Sequence, residues 1–305
     1  MQPVSAPKRI GSMTSEVIAG DHPAASIDRM NTTAIPPVTT PPVRSAGSAT
    51  ASPPAITTLL PALRRERRIS QLELSLRVGV SQRHLSCIET GRARPSREML
   101  IALLDALEAP LARRNEALLA AGYAPHYPRR SLDDPDLAEV RQALHHLLDA
   151  HDPAPALVLD GGWNLVMANR GAHRLMTLIG VDADAMLQPG FNLLRACLAP
   201  GGLRALCENE DEVCAALWSR ANHEAVHFPE LKPLLEELRP HVSARVTPSS
   251  HTPLLHTRLR SSAGPLSLFS AFTSFGSPLD VTLASLRVEH FFPADAATRI
   301  ALADG

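Results

Sequence analysis

Apolar and polar positions follow three different rhythms along this chain of 305 residues. Between Leu60 and Gly122 the apolar residues recur every three or four positions, which predicts short helices that each bury one face. Leu60 and Leu63 mark a first helix with Pro61 in its first turn, ending in the basic run Arg64-Arg65-Glu66-Arg67-Arg68. Ser70 is a candidate N-cap for a helix over 71–78, with Leu74 and Val78 on one face. Gly79 then suits a turn at positive φ, which costs little without a Cβ, and Val80 fills the gap beneath it. Ser81 caps the next helix, Leu85 and Ile88 point inward, and Gly91 offers a stop. Ser96 caps a fourth helix with Leu100, Leu103, Leu104 and Leu107 inward, and Pro110 opens a fifth that Gly122 ends.

Beyond Gly122 the rhythm changes twice. Tyr123 to Pro128 is a proline-punctuated link, and 133–150 returns to helical spacing through Leu137, Val140, Leu144, Leu147 and Leu148. From residue 153 the pattern becomes mixed. Two strands, 156–160 and 163–168, flank Asp160-Gly161-Gly162, a hairpin signal. Asn169 caps a helix through Ile179, and further helices are expected over 192–198, 203–221 and 230–238. Strands over 254–260, 266–275 and about 283–291 close the chain, with a turn at 261–264. Strands, helices and then an antiparallel meander predict an α+β domain with helices laid on one sheet face.

Residues 1–56 show neither rhythm. They are rich in Pro, Ser, Thr and Ala, carry the doublets Pro36-Pro37, Pro41-Pro42 and Pro53-Pro54, and contain no aromatic residue. Such a segment buries too little apolar surface to offset chain entropy, so it is expected to be a disordered extension. The expected organisation is therefore an extension over 1–56, a helical head over 57–122, a linker and connecting helix over 123–152, and an α+β domain over 153–300.

Charge sharpens this division. The net formal charge of −1 looks neutral, but residues 57–122 hold eleven Arg against seven acidic residues, a net of +4. Residues 123–305 hold fifteen basic against twenty-one acidic residues, a net of −6. A basic head suits a polyanion and an acidic body suits some other partner. Cys87, Cys197, Cys207 and Cys214 form no C-x-x-C pair, which fits free thiols in a reducing compartment. No stretch approaches the ~18 uninterrupted apolar residues of a membrane span, and no signal-peptide core opens the chain. A cytoplasmic protein without a membrane anchor is the expectation.

Ser70-Gln71, Gly79-Val80-Ser81, Ile88-Glu89, Gly91-Arg92 and Pro95 stand at the offsets of a helix-turn-helix, and this stretch resembles the XRE-type, phage-repressor-like DNA-binding domain. The segments PALVLDGGWNLVMAN (155–169), FNLLR (191–195) and FTSFGSPLDVTLASLRVEHFFPAD (272–295) resemble the MmyB-like transcription regulators. Together the resemblances cover most of 57–300. They imply a multi-domain protein: an all-α, five-helix head, then an α+β, PAS-like ligand-binding domain with an antiparallel sheet. They also imply a regulator that binds double-stranded DNA and responds to a small, apolar or fatty-acid-like ligand. A homodimer is expected, with no cofactor, no metal and no catalytic residue.

Specific roles follow. Gln82 and Arg83 open the recognition helix, where Arg suits guanine and Gln suits adenine through paired hydrogen bonds; Ser86 and Cys87 are further base-contact candidates. Gln71, Arg92 and Arg94 are placed to hold phosphates and set register, although for the two arginines a plain solvated charge is the competing reading. The resemblance implies that Arg64 pairs with Glu89, a structural ion pair tying the first helix to the recognition helix. Leu72 and Leu76 fall where relatives of the motif carry polar residues, so a docking seam and plain surface variation are both open. For the ligand, Trp163, Leu165, Met167, Leu194, Trp218, Phe269 and Phe272 are the candidate lining, against ordinary core as the alternative. Phe269 and Phe272 straddle the two faces of a strand, so only one need look inward. Arg258 and Arg287, on strands, either receive a carboxylate head or face solvent.

Two patterns suggest metal and are set aside. His145, His146 and His151 point different ways on a helix and read as solvated histidines. His223-Glu224-Ala225-Val226-His227 matches H-E-x-x-H, which would make the chain a zinc-dependent hydrolase fused to a DNA-binding head. That chemistry needs a helix through both histidines and a third ligand beyond, whereas Pro229 and Pro233 follow. A third reading is a regulator whose C-terminal domain only dimerises.

Overall fold

The computed structural model describes residues 55–242 and 254–303. The expected extension over 1–56 therefore lies almost wholly outside the described residues. Five helices form the head: α1 (Ile56–Glu66), α2 (Gln71–Val78), α3 (Gln82–Glu89), α4 (Arg97–Ala106) and α5 (Leu111–Ala120). Their inward leucines and isoleucines make one core that includes Leu60, Leu63, Leu74, Leu85, Ile88, Leu100, Leu103, Leu104 and Leu118. The caps do what their chemistry predicts. The hydroxyls of Ser70, Ser81 and Ser96 accept from the backbone N–H of Glu73, His84 and Met99 at 3.0, 3.1 and 3.1 Å. Gly79 turns the chain between α2 and α3 at φ 75°, in the left-handed region that a residue without Cβ enters freely. Pro61 departs from expectation: α1 begins at Ile56, so the proline lies inside the helix and not in its first turn.

A linker then leads through a 3₁₀ turn (Pro135–Leu137) into α6 (Ala138–His151). The C-terminal domain continues with β1 (Ala156–Leu159), β2 (Leu165–Ala168), α7 (Arg170–Leu178), α8 (Ala183–Met186), α9 (Leu193–Leu198), α10 (Glu210–Glu224) and α11 (Lys232–Leu238). It closes with β3 (Thr257–Leu259), β4 (Leu266–Ser274), α12 (Val281–Ser285), β5 (Arg287–Pro293) and α13 (Ala296–Ala303). The five strands form one sheet in the order β2-β1-β5-β4-β3, every neighbour antiparallel. The domain is α+β and PAS-like.

Helices cover both faces, not one. Leu144 and Leu148 of α6 pack on Ala156, Val158 and Val288. Because side chains alternate along a strand, Leu157 and Leu159 look the other way, toward Ala172 of α7. Three further departures have local causes. The helix expected over 203–221 is broken at 207–209, where Glu208 N–H donates to Arg258 O (2.8 Å) and Asn209 bonds both His256 O (2.7 Å) and Arg258 N–H (3.0 Å). The last strand starts four residues late, because Asp280 caps α12 through Thr282 N–H (2.8 Å). His151 is not solvated: its Nε2 lies 2.9 Å from Phe291 O, and its ring meets Phe292 edge-on at 4.8 Å.

Candidate functional site

In the head, α3 turns one face inward and one outward. Leu85 and Ile88 are buried, which turns Gln82 and Arg83 outward in the first turn; both are exposed, and neither side chain has a hydrogen-bond partner among the described residues. Ser86 and Cys87 are half-buried one turn on. Behind this face Glu89 is buried and held by three hydrogen bonds from two side chains. Arg64 gives Nε to Oε1 (2.8 Å) and Nη2 to Oε2 (2.9 Å), and Gln71 Nε2 adds 2.7 Å to Oε2. Burial pushes the Glu89 carboxyl upward, but the hydrogen bonds from Arg64 and Gln71 hold it below its ordinary value.

The phosphate candidates separate. Arg92 is exposed just past α3. Gln71 is engaged with Glu89, which leaves one amide hydrogen for any other partner. Arg94 donates Nη2 to Ala121 O at 2.8 Å and lies over the Tyr123 ring at 5.1 Å, so it braces the end of α5. Leu72 and Leu76 stand in solvent, 52% and 72% exposed.

In the C-terminal domain the seven expected lining residues do not surround one cavity. Trp163, Leu194 and Trp218 share a packed cluster beneath α10 and α11. Leu165 belongs to the core around α7 and Met167 to the α6 side. Phe269 stacks on Phe292 at 5.2 Å, while Phe272, on the opposite face of β4, is 60% exposed. Of the two strand arginines, Arg258 faces solvent and Arg287 is buried.

What sits on the α10 face of the sheet is a charged cluster that the sequence did not reveal. Arg220 of α10 grips Glu289 of β5 with both terminal nitrogens, each at 2.8 Å, and gives Nε to Glu224 Oε1 at 2.9 Å. Glu224 Oε2 accepts from the Trp163 indole N–H at 2.6 Å and pairs with Arg287 Nη1 at 3.0 Å. The Trp163 ring lies beneath both guanidinium groups, 5.0 Å from Arg220 and 4.5 Å from Arg287. Trp163 holds this place at φ 65°, a strained conformation for a bulky residue. Arg287 is only 6% exposed, and its Nε and Nη2 have no hydrogen-bond partner among the described residues. Burial lowers its pKa against the opposing pull of Glu224. The i,i+4 spacing of Arg220 and Glu224, with an acid in the middle of an apolar strand, was the available signal.

This engagement also answers the H-E-x-x-H pattern. Glu224 is taken by Trp163, Arg220 and Arg287; α10 ends there, and His227 lies beyond the helix. Among the described residues no group of three or more His, Cys, Asp or Glu is arranged to hold a metal.

Between head and C-terminal domain lies a cleft of about 1230 Å³. Pro110, Leu111 and Arg114 belong to its head wall, and Phe228, Phe272 and Arg287 to the opposite one. The linker fastens the two walls: Val281 N–H donates to Pro128 O at 2.8 Å, and Arg130 pairs with Asp280 at 3.3 Å.

A family model for the MmyB-like transcription regulator ligand-binding domain matches residues 140–304, more than half the chain, and a helix-turn-helix model matches 62–113. The chain belongs to the MmyB-like transcription regulators. This regulator thus joins a DNA-binding head to a ligand-binding domain, and the matches coincide with α1–α5 and with the α+β domain. Comparison with the curated proteins gives no match. Among solved structures, an RNA-binding Light-Oxygen-Voltage receptor is 15% identical, with 81% of this chain and 61% of that one covered. At a TM-score of 0.25 that likeness carries no argument. Among the described residues of the regulator, no helix is long and apolar enough to cross a membrane.

Proposed function

We propose that this chain is a sequence-specific regulator, not an enzyme, which reads duplex DNA with Gln82 and Arg83 and holds phosphates with Arg92. The observation that carries the reading is the exposed, unpartnered first turn of α3 on a helix locked from behind by Arg64 and Glu89. Ser86 and Cys87 flank the base-reading turn, and the free amide hydrogen of Gln71 serves the backbone. Two heads on a homodimer would meet half-sites one helical turn apart, ~34 Å. Such a protein works where the chromosome is, in the cytoplasm.

The C-terminal domain is proposed to sense a small ligand with an apolar, fatty-acid-like body, and so to bias the geometry of the two heads. Apolar side chains on both walls of the cleft support this, with Trp163 and Phe272 the members of the expected lining that lie nearest the charged cluster. Native mass spectrometry of freshly purified protein tests it. A retained adduct of lipid-like mass is expected; its absence, with dimers intact, would leave a domain that only dimerises.

A further inference from the structure

Two leucines stand in water on a helix that is held firmly beneath them. Among the described residues eight large apolar side chains are exposed, and only Leu72 and Leu76 share one helix. They lie one turn apart on α2 and so form a single stripe. The helix under the stripe is fixed at both ends and along its inner face. Ser70 caps it, Gly79 ends it in the left-handed conformation, and Leu74 and Ser75 are buried against the rest of the head.

A row of charge runs beside the stripe. Glu73 and Arg77 each follow a leucine by one position, and Arg77 Nη2 meets Glu73 Oε1 at 2.6 Å with both side chains nearly half exposed. Acid precedes base by one turn, while the two apolar members are alike. A two-fold axis across this pattern reproduces it. Two copies of α2 laid antiparallel set Leu72 against Leu76 of the second copy, and bring Glu73 alongside Arg77 of the second copy, twice over. A partner carrying one sign of charge would leave half of the row unmatched; a second copy matches both halves.

We propose that the Leu72–Leu76 stripe is the contact through which the heads of two copies, bound side by side on DNA, support each other. Size decides where this contact forms. Two leucines and an ion pair fall far short of the ~800 Å² per partner that a stable interface buries. The stripe alone therefore does not hold two copies together in solution. It contributes once something else has brought two heads alongside, as a shared duplex does by raising their effective concentration. Its placement suits that role: α2 begins at Gln71, the phosphate candidate, and the stripe runs along the helix away from that end.

The inference rests on reading the head as a DNA-binding domain, and its test separates the two. Random duplexes of about 10 and about 40 base pairs, roughly one and four helical turns, are titrated with full-length protein at low ionic strength and followed by anisotropy. The short duplex takes one head and the long one takes several. Wild type and Leu72→Gln/Leu76→Gln should bind the short duplex equally, while the variant should bind the long duplex about tenfold more weakly, a coupling of ordinary size. The charge row gives a second reading that does not depend on the leucines. Glu73→Arg and Arg77→Glu each set like charges across the two-fold axis, so each alone should weaken long-duplex binding relative to short. An equimolar mixture of these two proteins should regain part of the loss, which a change confined to the folding of α2 would not do. Equal long-duplex binding by wild type and the leucine variant would overturn the contact, as would a mixture no better than either charge variant alone. In both cases binding to the short duplex would leave the DNA-binding head standing. Failure of the wild type to bind either duplex would remove the head's reading and this contact together.

Discussion

Arg64 and Glu89, twenty-five residues apart, join α1 to α3 through two parallel hydrogen bonds, Nε to Oε1 at 2.8 Å and Nη2 to Oε2 at 2.9 Å. Arg64 also donates Nη1 to Ile69 O at 3.0 Å, so one side chain fixes the entry to α2 as well. α3 is therefore held by a largely buried charge pair in addition to Leu85 and Ile88.

Replacing Glu89 with Gln should destabilise the protein by about 3 kcal/mol at neutral pH, because it leaves Arg64 buried without its counter-charge. The pH dependence has a definite sign. The folded carboxyl titrates below its ordinary value of 4.5, so its contribution is complete above that pH and is lost as the pH falls through the folded pKa. Thermal melts of wild type and Glu89→Gln should therefore differ at pH 7 and converge toward pH 3. A constant difference across that range would contradict the assignment.

Arginines on the DNA side should separate by role. Arg83→Ala is expected to reduce discrimination between operator and random duplex, a loss of about 1–3 kcal/mol confined to the specific site. Arg92→Ala should weaken both kinds of binding alike and flatten the salt dependence by about one unit of slope. Arg94→Ala should act mainly on stability, since its guanidinium is committed to Ala121 and Tyr123. Fluorescence anisotropy at several salt concentrations, with melts alongside, measures all three.

Cysteine reactivity gives an independent map of α3. Burial pushes the Cys197 thiol up to about 12 and the Cys207 thiol up to about 11, so neither should react near neutral pH. Cys87, half-buried on α3, should be alkylated first, and bound operator DNA should protect it. Mass mapping after a short iodoacetamide pulse reads this directly. Equal modification with and without DNA would mean that α3 does not lie against the duplex.

Much of the head was legible because its signals are local. Ser70, Ser81 and Ser96 cap within three residues, and Gly79 takes the one conformation its lack of a side chain favours. The C-terminal domain was legible in its strands and in Asn169, whose Oδ1 accepts from Ala172 N–H at 2.9 Å. What stayed hidden depends on partners distant in sequence. Leu203 to Ala221 has helical spacing, yet β3 pulls 207–209 out of it. Leu283 to Leu286 was expected to open the last strand, yet Asp280, anchored by Arg130 from the linker, starts a helix there. The charged cluster joins residues 163, 220, 224, 287 and 289, which no local window brings together. Its aromatic floor, Trp163, expected as pocket lining, is also the underside of two guanidinium groups.

Binding of the full-length protein to duplex fragments from its own upstream region, followed by anisotropy at low ionic strength, is the most direct test. Saturable binding is expected, weakening steeply with salt and losing its preference over random duplex in Arg83→Ala. Failure of a folded, dimeric preparation to distinguish these fragments from buffer would contradict the placement of α3 against DNA.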